Sequence, residues 1–181
     1  MNQLSWPSKW SEPGYSRDEL DHVQERWMLE FPEDLLEFLL QCRPFRIGDG
    51  FFDWVHSSDQ EIHYLLTRPF NGFWYDVQHN GVWWADWGPK PDSPALQMVR
   101  LKEVFREIPK LIPVYGHRYL PANPLERGNP VFSVYQTDII CFGESLDHWL
   151  KIEFGGSAPP PGTPKNWSQA IRENDAVRCS S

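Results

Sequence analysis

Apolar residues recur at helical intervals through the first third of the chain. Leu35, Leu36, Leu39 and Leu40 follow Pro32, and a proline is well placed to open a helix because its missing N–H is not needed there. Pro44 stops that run. Before it, Leu20, Val23, Trp27 and Leu29 give a partial apolar face to a helix over about 17–30. Ser16 and Glu19 begin it as a capping box. Ser58 and Glu61 cap a helix of two to three turns that should end before Pro69. Ser93-Pro94 opens one through Glu107, with Leu96, Val99, Val104 and Ile108 partly inward. Ser145 caps a last helix through Phe154. The stretches 51–56, 111–115, 130–135 and 138–142 read as strands. FWYDVQH and VWWADW flank Asn80-Gly81, the turn dipeptide of a type I′ hairpin, which predicts strands at about 73–79 and 82–87. The order ααβαββαβββα predicts an α+β domain with a central mixed, mainly antiparallel sheet flanked by helices.

At 181 residues the chain is one domain with extensions. We divide it into an arm (1–15), the domain (16–154), a Gly/Pro-rich linker (155–164) and a tail with a short helix (165–181). A net charge of −8 disfavours a general nucleic-acid binder, because phosphate needs a positive surface, and disfavours anionic membranes. No apolar run is long enough to span a bilayer. Cys42, Cys141 and Cys179 are an odd set without a C-x-x-C pair, so no disulfide framework is expected. The start MNQLSWPSKW lacks the pattern of a secretory signal. A reduced, cytoplasmic protein is expected.

Phosphate-binding glycine motifs and the G-x-S-x-G elbow are absent. His56, Glu61 and His63 come nearest to a zinc set, but Glu61 and His63, two apart on a helix, point to different sides. No metal and no cofactor is expected. His117, Arg118 and Tyr119 leave an apolar strand together, and Asp138 opens a later one. Such a group can bind a carboxylate or phosphate, or it can be a network that pins two strands. The absence of a nearby nucleophile favours the second.

Ten tryptophans are many for this length. Strand alternation puts Trp83 and Trp87 on one face of the expected hairpin and Trp84 on the other. Most should be core; exposed ones are interface anchors or sugar platforms. Acids cluster too: nine against two arginines between Glu12 and Glu37, and seven against Arg68 and Lys90 between Asp49 and Asp92. Such blocks are commonly solvated faces. Beside exposed aromatics they suit capture of a basic protein, with Asp49, Asp53, Trp54, Asp76, Trp83, Asp86 and Trp87 as the contact residues.

FPEDLLEFLLQC, GFWYDVQHNGVWWADWG, PKLIPVYGHRYLP, GNPVFSVYQTDIICFG and SLDHWLKIEF together resemble the SUKH superfamily, which includes yeast cell-wall-synthesis regulators and bacterial immunity proteins. The resemblance covers about residues 17–154; its most specific pieces are 113–121 and 128–135. The arm Met1–Tyr15 has no counterpart. The resemblance implies an α+β fold and a binding role without catalysis: neutralising a cognate toxin, such as a nuclease, by covering its active site. The toxin would be basic, and an acidic protein can imitate its phosphate substrate. The alternatives are a regulatory scaffold of the cell-wall-regulator type, a sugar-binding module on the tryptophan hairpin, and an enzyme using His117, Arg118 and Asp138 on a small anion.

Overall fold

A computed structural model describes residues 11–44 and 52–155 of the chain. Asp49, the Gly48–Gly50 turn, most of the linker and the whole tail lie outside the described residues, as do residues 1–10 of the arm.

Strand β1 (Ser11–Pro13) pairs antiparallel with β2 (Cys42–Pro44), a small ladder that the periodicity does not announce. Between them lie α1 (Arg17–Trp27) and α2 (Glu33–Gln41). The capping box forms as expected: Ser16 Oγ accepts from the Glu19 N–H at 3.2 Å, and Glu19 Oε2 accepts from the Ser16 N–H at 2.7 Å. Helix α1 ends at Met28, which holds the left-handed conformation (φ 50°) without being a glycine. In α2 the buried residues Asp34, Leu35, Phe38 and Leu39 face inward. Asp34 accepts from the Gly128 N–H at 3.0 Å, which ties a distant loop to the start of the helix.

The largest difference from the sequence reading is α3 (Asp59–His79), a continuous helix of 21 residues. It runs through Pro69 and replaces the first strand of the expected hairpin. Residues 82–84 are not strand either, and Ala85–Trp87 is one 3-10 turn. The stretch 54–56 is likewise turn, where a strand is expected. The physical reason lies in the buried positions Ile62, Pro69, Phe73, Asp76 and Val77, with Leu65 and Leu66 partly buried. They recur every three to four residues, so a helix presents one continuous inward stripe that a strand would split between two faces. Asn80 then caps the helix and Gly81 (φ 68°) turns the chain away, in place of a hairpin turn. Pro69 cannot donate to the carbonyl of Leu65, four residues earlier. The phenol of Tyr119 donates to that carbonyl instead, at 3.0 Å.

Helix α4 (Pro94–Glu107) has the bounds the sequence predicts, with Ser93 as its cap. A four-stranded sheet follows in simple order: β3 (Leu111–Tyr115), β4 (Arg118–Pro121), β5 (Val131–Tyr135) and β6 (Asp138–Gly143), antiparallel throughout. Strand β4 is not among the predicted strands. Helix α5 (Leu146–Gly155) folds back against β6. Gly143 allows this approach, since a Cβ there would sit 2.6 Å from the Cβ of Trp149.

Alternating residues of the strands feed two cores. Ile112, Val114, Leu120 and Val131 join Leu20, Leu35, Leu39, Leu146 and Trp149 on the α1/α2/α5 side. Leu111, Tyr119, Phe132 and Val134 join Phe73, Trp87, Leu101 and Val104 on the α3/α4 side. The chain is thus an α+β domain with both sheet faces covered. Among the described residues no helix is long and apolar enough to cross a membrane. Cys42 is a free buried thiol, and burial pushes its pKa up to about 12, so it packs and does not react. Cys141 is buried in β6, and Cys179 lies outside the described residues.

Candidate functional site

The seven residues expected to meet a partner are not brought together. Trp87 is 1% exposed and Trp54 is 5% exposed, both inside the cores. Asp76 is buried and serves the fold: it accepts from the Thr137 backbone N–H at 3.0 Å, from the Thr137 hydroxyl and from Asn80 Nδ2 at 2.6 Å. Burial alone would raise its pKa, but these donors outweigh burial and hold the carboxyl below its usual range. Asp53 caps the turn after it, accepting from the Val55 and His56 N–H groups, each at 2.9 Å. Its pKa is lowered although burial opposes, because the His56 and Val55 donors win. Trp83 is half-buried and stands edge-on to Trp87 at 89°, with Nε1 donating to the Gly88 carbonyl at 2.8 Å. Two coplanar exposed rings, the requirement for a sugar platform, are therefore not formed here. Asp86 is exposed on the 3-10 turn and Asp49 lies outside the described residues.

His117 and Arg118 are brought together, with other partners than Asp138. Arg118 is buried at the start of β4. Its Nε donates to Glu153 Oε2 of α5 at 3.1 Å and its Nη1 to Ser133 Oγ of β5 at 3.0 Å. The same guanidinium stacks on Phe142, 3.7 Å from the ring centroid, and touches His117 Nε2. Glu153 also accepts from Trp149 Nε1 at 3.2 Å. Asp138 is exposed opposite Tyr135 at the β5–β6 turn, and Glu153 takes the place expected for it. Tyr119 turns the other way, to the Leu65 carbonyl, and burial pushes its phenol up to about 12. Burial, then the charges of Arg118 and Arg68, hold His117 below its usual value, with Glu153 opposing. The arrangement pins strands to helix α5, which is the structural alternative for these residues.

An open cleft of about 400 Å³ lies elsewhere, between α1 and the start of α3. One wall is a stripe of α1 made by Asp18, His22 and Arg26, beside Glu19, Val23 and Trp27. The other is the turn carrying Trp54, Val55 and Ser57, continued by Asp59 and Ile62 of α3. The floor is apolar, with Val23, Trp54 and Ile62 buried and Trp27 and Val55 half-buried. The rim is acidic. Glu19 is held below its usual pKa by the Ser16 backbone N–H and hydroxyl, so it stays charged. Arg26 crosses the mouth to pair with Asp59, and its guanidinium lies 5.9 Å from the centre of the Trp27 ring.

This cleft joins the two acidic blocks of the sequence, one on α1 and one at the start of α3. The sequence reading missed it because the opposing wall is a turn that reads as a strand. The readable signal is Trp27 four residues after Val23 and beside Arg26: an aromatic at the margin of the apolar stripe. The zinc candidates disperse: His56 Nδ1 lies 3.1 Å from Asp53 Oδ2, while Glu61 and His63 sit in the first turns of α3. The chain matches no family model, no curated protein and no solved structure.

Proposed function

We propose that the chain is a protein-binding domain of the immunity type, which neutralises a cognate toxin by covering its active site. The observation that carries this reading is the acid-rimmed cleft with an apolar floor. It is a concave surface on a molecule of net charge −8, made for a basic partner with an apolar contact. The resemblance to SUKH proteins supports the same role. In this reading the acids of α1 and α3 speed the encounter, and burial of Trp27 and Val55 slows release. A standard interface of about 1,600 Å² would extend well beyond the cleft itself.

The test is affinity capture of the tagged full chain from its native lysate at low and high salt, with mass spectrometry of what is retained. The expected result is one stoichiometric partner with a basic domain. Its toxic activity should fall to background when one equivalent of the purified chain is added. Asp18→Asn with Asp59→Asn should weaken that inhibition, more so at low salt. A stoichiometric partner whose activity is untouched by the bound chain would end the immunity reading and leave a scaffold.

A further inference from the structure

Arg26 occupies the mouth of the cleft. Its guanidinium lies within cation–π reach of Trp27 and is paired with Asp59 across the mouth. An aromatic face beside a carboxylate is a setting that favours a guanidinium, which is planar, weakly hydrated and able to meet a carboxylate with two parallel N–H donors. Both members of the pair are more than half exposed, Arg26 at 51% and Asp59 at 62%. An exposed pair of this kind contributes little and exchanges readily with solvent. Two further acids, Asp18 and Glu19, line the same cleft. The single arginine in the lining therefore does not balance the three carboxylates around it.

We propose that the cleft is an arginine-accepting subsite, and that Arg26 is a placeholder which an arginine side chain of the protein partner displaces or joins. The aliphatic stem of the incoming side chain lies along Trp27 and Val55, and its guanidinium reaches Asp59 with Asp18 behind it. This deepens the immunity reading, on which it rests for the identity of the partner as a protein. Arg26 has a second consequence: it keeps Asp59 paired while the cleft is empty, so that weakly basic proteins gain little there.

The test uses the full chain, labelled with nitrogen-15 and titrated at low ionic strength with N-acetyl-arginine-N′-methylamide, its lysine counterpart and free arginine. The blocked arginine should shift the Trp27 indole N–H and the Asp59 amide saturably, and the lysine probe should bind more weakly. Arg26→Ala should tighten the blocked arginine roughly two- to fivefold, the scale of one exposed ion pair. Asp59→Asn in that background should undo the gain. Equal affinity in the wild type and Arg26→Ala overturns the placeholder, and shifts confined to other parts of the chain overturn the subsite. Free arginine binding tenfold tighter than the blocked form would make this a free amino-acid site and overturn the protein-ligand assignment. The two proposals fail separately. A toxin inhibited by a chain that ignores the arginine probe sinks only the subsite. A cleft that binds the probe in a chain without a toxin sinks only the immunity role.

Discussion

On one face of the sheet, Phe73, Trp87, Tyr119 and Phe132 close together under α3 and α4. On the other, Leu20, Leu120 and Trp149 pack under α1, α2 and α5, and a buried arginine runs along the edge of that packing. The first face carries the dense tryptophan run of the sequence, yet it encloses those rings. Trp87 touches Phe73, Trp83 and Trp84, with ring centroids 4.9 to 6.0 Å apart. The second face has fewer tryptophans and carries the open cleft. Aromatic density in a sequence thus measures how much surface can be buried, and says little about where a partner lands. What exposes an aromatic is a gap between elements, as between α1 and the start of α3.

The sharpest way to break the contrast is at Arg118. Replacing it with Met leaves the half-buried Glu153 without its cation, and we expect a loss of about 3 kcal/mol in urea unfolding, the low end for a buried pair. Adding Glu153→Gln should restore much of that loss, since no uncompensated charge remains. If the single variant were as stable as wild type, the charged edge would be no more than a surface pair.

Next in size is Tyr119→Phe, on the α3/α4 side. It removes the donor that serves the Leu65 carbonyl, which Pro69 cannot serve. The expected cost is about 1–2 kcal/mol, that of one unsatisfied, partly buried acceptor. Pro69→Ala in the same background supplies an N–H to that carbonyl and should recover part of the loss. No recovery would mean that the phenol acts through packing.

A matched pair then compares the two faces directly. Trp149 and Trp87 are both fully buried, but Trp149 Nε1 donates to Glu153 while Trp87 Nε1 meets no hydrogen-bond partner among the described residues. Trp149→Phe loses ring contacts and a hydrogen bond to a charged group. Trp87→Phe loses ring contacts and an unsatisfied N–H. We expect the first to cost more by about 1–3 kcal/mol, read from the difference in denaturation midpoints at constant slope.

These comparisons also explain what the sequence could tell. The strands Leu111–Tyr115, Val131–Tyr135 and Asp138–Gly143 and the helix Pro94–Glu107 are legible, because each has local punctuation and an apolar run of the right length. The long helix α3 is not, because two local cues, Pro69 and Asn80-Gly81, point against it. Both are overruled from a distance: Tyr119 repairs the proline, and the inward stripe from Ile62 to Val77 makes the helix the better fit to the sheet. The grouping of His117 with Arg118 is legible as a cluster. Its carboxylate is not, since Glu153 lies 35 residues from Arg118 and comes into reach only after α5 folds back. Strand β4 and the ladder of β1 with β2 are short, and short strands leave too few alternations to read.

The smallest effect concerns pH. Arginine has only donors, so its contact with His117 Nε2 requires that nitrogen to keep its lone pair, which makes the histidine neutral with its proton on Nδ1. A proton added at Nε2 loses the contact and faces Arg118 of β4 and Arg68 of α3, with Glu153 of α5 in favour. Burial adds to this, and the pKa in the folded chain falls below the ordinary 6.5. The unfolded chain therefore binds the proton more readily, and stability falls as pH drops from about 6.5 through the folded value, where the loss levels off. Above that window the contribution is complete. The other titratable groups are shared by both proteins, so the difference between wild type and His117→Gln isolates this one group. Glutamine can still accept from Arg118 but does not titrate. Unfolding free energies of the two proteins should run parallel above neutrality and diverge on acidification, with wild type losing more. Parallel curves throughout would mean that His117 swings free of Arg118 in solution, and that the charged edge of the sheet consists of Arg118, Ser133 and Glu153 alone.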